Sequence, residues 1–211
     1  MDHVIRVVRA EEWPLVKELR LAALRDPVAP VAFLETYEQG VTRSDAFWQD
    51  RALGASEDGD GEVRQFVAVA PDGRWDGSVT VLIERPDAEV RFGEVADTPQ
   101  AHVVGVFLRP EARGRGLAEE LFRAATDWAW SLDAPRIERV RLYVHEDNAR
   151  AAAFYRRIGF VPTGRTEPVP GDPSAREIEC AVARSEQPRE AGARSVGHRR
   201  SGAGRPLAEG A

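Results

Sequence analysis

The chain has 211 residues, of which 43% are hydrophobic, with one cysteine, four histidines and a formal net charge of −6. These values predict one folded domain and exclude a disulfide framework and a multi-cysteine zinc site. The acidic balance argues against nucleic acid as a partner, and no apolar run approaches the ~20 residues of a membrane span. Because the start lacks a signal-peptide pattern, we expect a cytoplasmic protein. The short apolar runs and the few cysteines and histidines lead us to expect no membrane partner and no metal.

The composition changes at Ser185. From there Gly, Ala, Ser, Pro and Arg predominate, and only Val196 and Leu207 are larger aliphatic residues. Such a segment buries too little apolar surface to offset its ordering entropy. We therefore predict a folded domain over 1–184 and a disordered Gly/Ala/Arg-rich C-terminal tail over 185–211.

The first third of the chain predicts one strand and two helices. The run of β-branched residues over 3–9 indicates a strand, and apolar residues at helical spacing over 11–25 indicate a helix. A looser stretch follows over 26–42. Ser44 is a suitable N-cap for a second helix over 44–53.

A β-hairpin is predicted next. Two β-rich runs, 65–70 and 75–84, are separated by Pro-Asp-Gly-Arg at 71–74. Proline, aspartate and glycine in that order are typical of a turn between strands. Residues 85–100 are predicted to be a loop.

The second half alternates between strand and helix periodicity, which predicts a mixed α/β domain with about seven strands and about four helices in all. Its predicted elements are a strand at 101–108, a helix at 114–132, a strand at 139–145, a helix at 148–158, and strands at 159–164 and 176–183.

A glycine-rich turn joins the strand at 101–108 to the following helix. Gly114 and Gly116 leave backbone amides uncovered at a helix N-terminus, where the helix dipole favours an anion. Arg113 and Arg115 add positive charges that can pair with phosphate oxygens. The turn therefore predicts a phosphate or pyrophosphate ligand.

The residues of this turn satisfy one of three known phosphate-binding patterns. A Walker A loop needs Gly-Lys-Ser/Thr, which is absent, and a dinucleotide fingerprint fails because Glu119 stands where its third glycine would be. The pattern Arg-x-x-Gly-x-Ala is met by Arg113, Gly116 and Ala118. In this respect the chain resembles the GNAT superfamily of N-acetyltransferases, and the resemblance implies a pyrophosphate site at Arg113, Gly114, Arg115, Gly116, Leu117 and Ala118.

A second stretch resembles the same family. Residues 144–160 read VHEDNARAAAFYRRIGF, similar to the family pattern Asn-x-x-Ala-x-x-Phe-Tyr-x-x-x-Gly-Phe. Asn148 and Tyr155 are two helical turns apart and so share a face. Asn148 caps the helix and, by the resemblance, donates to a pantetheine amide. The Tyr155 phenol is protonated at neutral pH and can donate to a leaving thiolate.

Glycine inside a strand often marks a bulge, and Gly105 is such a glycine. In the family this strand is bulged and parts from its neighbour. The resemblance implies a mixed GNAT-like fold in which the cofactor's pantetheine arm lies along Val106, Phe107 and Leu108, pairing with main-chain groups of Val106 and Leu108.

The resemblance further implies transfer of an acetyl group from acetyl-CoA to a primary amine by direct attack in a ternary complex. Cys180 lies in an apolar strand and is expected in the core. The identity of the general base is open: His102, Glu35, Glu38 or water alone. Phe33, Thr36 and Tyr37 are expected to shape the acceptor pocket.

Expected partners are a small-molecule or peptide amine and a second copy in a homodimer. The alternative is a catalytically silent acyl-CoA-binding sensor or interaction module, which would keep the glycine-rich turn and need neither His102 nor Tyr155.

Overall fold

A computed structural model describes residues 3–86, 88 and 92–184. The predicted tail at 185–211 and part of the predicted loop at 85–100 lie outside the described residues.

One seven-stranded sheet and five helices make up the described fold. The strands are β1 (Val4–Val7), β2 (Val63–Val69), β3 (Trp75–Glu84), β4 (Gln100–Leu108), β5 (Arg139–His145), β6 (Val161–Val169) and β7 (Asp172–Ala183). The helices are α1 (Trp13–Leu24), α2 (Tyr37–Val41), α3 (Asp45–Ala55), α4 (Leu117–Ser131) and α5 (Ala149–Arg157). The predicted order of strands and longer helices is confirmed.

Helix α2 was missed in the sequence, because its five residues are too few for a periodic pattern. It begins with a capping box in which Thr36 Oγ1 accepts from the Gln39 amide at 3.3 Å and the Gln39 side chain accepts from the Thr36 amide. Helix α3 begins at the predicted cap, where Ser44 Oγ accepts from the Phe47 amide at 3.2 Å.

The sheet order is β1-β2-β3-β4-β5-β7-β6, and every neighbouring pair is antiparallel except β4 and β5. The hairpin between β2 and β3 is confirmed. Gly73 adopts a φ of 86° in its turn, which glycine does without a steric cost.

Helices cover both faces of the sheet. Helices α4 and α5 pack on one face through residues such as Leu121 and Tyr155, and α1 and α3 pack on the other through residues such as Leu19 and Trp48. Cys180 is buried among the α4-side residues, as predicted. Because helices cover both faces of the sheet, an open site is expected where two neighbouring strands separate.

The sheet parts between β4 and β5. These two strands pair only through Ala101 with Val140 and His102 with Arg141. Gly105 has a φ of 61°, and the register between β3 and β4 gains one residue between Val104 and Phe107. The predicted bulge is therefore present. It lies where the pairing between β4 and β5 has already ended, so it bends β4 away from β5.

Candidate active site

A cleft of about 510 Å³ occupies the gap between β4 and β5. Its volume lies within the range of small-molecule sites. The predicted site residues that line it are Phe33, Val106, Phe107, Leu108, Arg113, Gly114, Gly116, Ala118, Asn148 and Tyr155. Residues more than 120 positions apart in the sequence, such as Phe33 and Tyr155, are therefore brought to one cavity.

The glycine-rich turn forms one wall of the cleft. Gly114 and Gly116 have φ values of 76° and 82°, and nothing lies within 4 Å of the position a β-carbon would take at either residue. Gly116 is the N-cap of α4, and the first turn of that helix leaves its amides without helical partners. An anion can approach this backbone closely. Leu117 is buried in the core, and Arg115 is exposed and does not line the cleft.

Arg113 lines the cleft, and its guanidinium is also held by the protein. Its Nε donates to the Leu108 carbonyl at 2.9 Å, and its Nη2 pairs with the buried carboxylate of Asp26. Arg113 therefore ties the end of β4 to the segment that follows α1. Part of its hydrogen-bonding capacity is used within the fold rather than toward a ligand.

Asn148 joins α5 to the loop after α1. Its Oδ1 accepts from the Ala151 amide at 3.2 Å, and its Nδ2 donates to the Val31 carbonyl at 3.1 Å. The predicted N-cap is confirmed. The side chain also fixes the loop bearing Phe33, which lines the cleft.

Tyr155 projects from α5 into the cleft. Its ring packs against Phe122, Phe154 and Phe160, with centroids 5.6 to 6.4 Å apart. Burial raises the pKa of its phenol well above the ordinary value. The hydroxyl makes no hydrogen bond with another described residue. It is thus a protonated donor directed at the cavity.

Three further polar residues line the cleft on the face opposite α5: Tyr143 and His145 of β5 and Glu177 of β7. His145 and Glu177 stand opposite each other in the antiparallel ladder. His145 Nδ1 accepts from the Asp147 amide at 3.1 Å, so a neutral His145 carries its hydrogen on Nε2.

His102 does not line the cleft. It is 3% exposed, and its Nδ1 donates to Glu84 Oε1 at 2.8 Å. Although burial alone would raise the pKa of Glu84, hydrogen bonds from His102 and Arg141 lower it to about 2. Arg141 also contacts buried Glu179 at 3.0 Å. His102 thus belongs to an internal ionic network beside the closed end of the cleft.

The remaining predicted acceptor residues, Thr36 and Tyr37, and the base candidates Glu35 and Glu38 lie apart from the cavity. Thr36 caps α2, and Tyr37 accepts a hydrogen bond from Arg25. Glu35 pairs with Arg20 at 3.0 Å, and Glu38 is exposed. None of these four lines the cleft, so Phe33 is the one residue of the predicted acceptor set that does.

The sequence profile of the family described as "Acetyltransferase (GNAT) family" matches residues 23–160. The chain belongs to the GNAT acetyltransferase family. This membership agrees with the parted β4 and β5, the glycine-rich turn and the cleft between them.

Curated GNAT relatives share part of the chain. A 96-residue stretch is 40% identical to the mycothiol acetyltransferase of Salinispora arenicola, covering 45% of this chain and 28% of that protein. A 68-residue stretch is 47% identical to the mycothiol acetyltransferase of Beutenbergia cavernae, covering 32% of this chain and 21% of that protein. The chain spans about a quarter of the length of the curated relatives it matches.

Solved structures share the fold. Arabidopsis thaliana NAA60 in complex with acetyl-CoA is 17% identical with a TM-score of 0.61, covering 86% of this chain and 98% of that chain. At this identity the likeness concerns the fold alone. The predicted GNAT-like mixed sheet is thereby confirmed.

The described residues were also searched for a metal site and for a membrane-spanning helix. Among residues 3–86, 88 and 92–184, no cluster of three or more His, Cys, Asp or Glu side chains is arranged to hold a metal ion. Within the same residues, no helix is long and apolar enough to cross a membrane.

Tyr143, His145 and Glu177 were missed in the sequence, although a signal for the two residues of β5 was present. In β5, polar Arg141, Tyr143 and His145 alternate with apolar Leu142 and Val144. Alternation places one set on each face of a strand. A polar set on an otherwise buried strand indicates a functional face.

Replacing His102 by alanine is expected to destabilise the fold by about 1–3 kcal/mol, because a buried hydrogen bond to Glu84 is lost. Urea unfolding measures this change. His102→Gln, which can still donate to Glu84, should recover part of the loss. Acetyl-CoA affinity should not change in either variant. A pH-dependent loss of turnover in folded His102→Ala would contradict this structural role.

Proposed function

We propose that the chain transfers the acetyl group of acetyl-CoA to a primary amine, which attacks the thioester directly in a ternary complex. One observation carries the proposal: a single cleft joins an open backbone turn at Gly114 and Gly116, at the N-terminus of α4, to the unpartnered hydroxyl of Tyr155. A ligand that is anionic at one end and reactive at the other fits this arrangement.

The glycine-rich turn and the edge of β4 form two walls of the cleft, and both would bind the cofactor. The amides of the turn over 113–118 would hold the pyrophosphate, with Arg113 adding charge at its edge. The edge of β4 from Val106 to Leu108 has no partner in β5, which leaves main-chain groups of Val106 for the pantetheine amides. The Leu108 carbonyl already accepts from Arg113, so its part in pairing would be smaller.

Tyr155 would supply the acid. The amine nitrogen bonds to the thioester carbon, the C–S bond breaks, and the leaving thiolate takes the phenolic proton of Tyr155. The tyrosinate then recovers a proton from the newly acylated nitrogen, directly or through water. Because burial raises the pKa of Tyr155, the phenol is protonated over the working pH range.

The acceptor class is drawn from the relatives and from the cleft. Curated relatives are named mycothiol acetyltransferases, and solved neighbours include a ribosomal-protein-S5-alanine acetyltransferase and a spermidine N-acetyltransferase chimera. Each name suggests an amine to test: the acceptor of mycothiol acetyltransferase, a peptide beginning with alanine, and spermidine. Glu177 in the cleft favours a cationic acceptor over a neutral or acidic one.

Acetyl-CoA turnover with these three amines tests the proposal. We expect release of free coenzyme thiol that depends on at least one amine, together with the matching N-acetylated product by mass spectrometry. Tight acetyl-CoA binding without turnover on any amine would instead favour the silent sensor. Absence of acetyl-CoA binding to the folded protein would reject both functions.

A further inference from the structure

Glu177 is a buried carboxyl group without a partner. It is 9% exposed, and its carboxyl group forms no hydrogen bond or ion pair with any other described residue. Glu177 also lines the cleft. A buried carboxylate without a partner is costly to the fold, so such a group indicates a role in binding or chemistry.

We propose that Glu177 is the general base that removes a proton from the incoming ammonium group of the acceptor. The inference rests on the proposed acetyl transfer and assigns the residue that the sequence left open. The same side chain gives the cationic acceptor an anionic anchor and a proton acceptor.

Position in the sheet supports this role. Glu177 lies on the face of β5 and β7 that carries Tyr143 and His145, whereas Tyr155 approaches from α5 on the opposite face. The cleft passes between these faces. A thioester held in the gap would therefore have the base on one side and the acid on the other. The amine enters beside Glu177, and the thiolate leaves beside Tyr155.

The charged and titratable groups around Glu177 come from three elements. His145 stands opposite it on β5, Glu167 stands opposite it on β6, and Tyr155 contributes from α5. Burial raises the pKa of Glu177 to about 7, although His145 acts to lower it. A base with this pKa is ionised at slightly alkaline pH and still strong enough to accept a proton.

The proton balance is complete. An alkylammonium group gives one proton to Glu177 and becomes a free amine, which forms the new C–N bond as described above. Protonated Glu177 then releases its proton to water through the cleft. The sum is acetyl-CoA plus ammonium giving amide, free coenzyme A and one proton.

Other candidates for the base are less well placed. His102, Glu35 and Glu38 do not line the cleft. His145 does, but its Nδ1 already accepts from the Asp147 amide, so a neutral His145 presents a donor at Nε2. Glu177 is the carboxyl group in the cleft that has no partner, since Glu119, which also lines it, pairs with Arg157 at 2.8 Å.

The test compares the pH dependence of kcat/KM for Glu177→Gln with that of the wild-type protein at saturating acetyl-CoA. The wild-type value should rise with pH up to about 7 and then level off. An alkylamine acceptor titrates only near ~10, so its own ionisation does not obscure this step. In Glu177→Gln the step near neutral pH should disappear, and kcat/KM at pH 8 should fall about 100-fold.

Glu167→Gln is the matched control, because it changes a glutamate on the same face that does not line the cleft. Its pH profile should keep the step near neutral pH, moved only slightly to lower pH because one neighbouring negative charge is removed. In Glu177→Ala, added formate should restore part of the turnover by supplying a carboxylate to the vacated space. Acetyl-CoA affinity should be unchanged in both Glu177 variants.

Two outcomes overturn the inference and are distinguishable. If the wild-type protein acetylates an amine and Glu177→Gln keeps the step near neutral pH, Glu177 is not the base. If the wild-type protein acetylates no amine, the proposed function fails and the inference fails with it. Restoration of Glu177→Ala by formate would support the base even if the glutamine variant were unstable.

Discussion

Replacing Tyr155 by phenylalanine is expected to lower kcat about 100-fold, because a positioned general acid contributes at least that factor. The phenyl ring keeps the contacts with Phe122, Phe154 and Phe160, so only the hydroxyl is removed. Steady-state turnover with a saturating amine measures the loss. Acetyl-CoA affinity should remain within about twofold, because the hydroxyl acts on the leaving thiolate.

The fold itself provides the control for this prediction. The Tyr155 hydroxyl has no hydrogen-bond partner among the described residues, so its removal should leave the unfolding temperature unchanged. A variant with normal unfolding, normal acetyl-CoA binding and full kcat would reject Tyr155 as the acid. Water entering the cleft would then have to protonate the thiolate.

Much of the fold was accessible from the sequence because its signals are local. The hairpin at 71–74, the cap at Ser44 and the cap at Asn148 depend on residues within a few positions of each other. Gly105 also indicated its bulge, since few other residues adopt its backbone conformation. The boundaries moved by a few residues where strands lengthen through pairing, as in β6 and β7.

Residues of the candidate site could be predicted from the sequence only where they belong to a short motif. The glycine-rich turn, Asn148 and Tyr155 were found because their spacing is short and repeated in one family. Glu177 was missed, since its position beside His145 depends on the pairing of β5 with β7 across more than 30 residues. His102 was assigned from its place in β4, but its side chain donates to Glu84, and its partner on β5 is Arg141.

Arg113 also shows that contacts between residues far apart in the sequence could not be predicted from it. Its position in the turn predicted a phosphate contact, and it does line the cleft. The sequence could not show that Asp26, 87 positions away, pairs with the same guanidinium. An alanine at Arg113 would therefore disturb the end of β4 as well as the binding site, so the turn is better tested through its glycines.

Replacing Gly114 by aspartate is expected to weaken acetyl-CoA binding about 30-fold. Nothing lies within 4 Å of the added β-carbon, and aspartate tolerates the left-handed backbone better than most residues. A new carboxylate at this turn would lie several ångströms from the bound phosphates. Repulsion at that distance is about 2 kcal/mol, and it should shrink as salt is added. Calorimetric titration with acetyl-CoA at two salt concentrations measures both effects.

Two variants separate charge from geometry in this experiment. Gly114→Asn has nearly the shape of the aspartate without its charge, so it should bind acetyl-CoA almost as the wild-type protein does. Gly171→Asp places the same charge at a glycine with a φ of 88° and equally open surroundings, in the turn between β6 and β7 outside the cleft. It should bind normally. Equal losses in Gly114→Asp and Gly114→Asn would show that the turn excludes bulk, whereas normal binding in both would mean that the phosphates lie elsewhere.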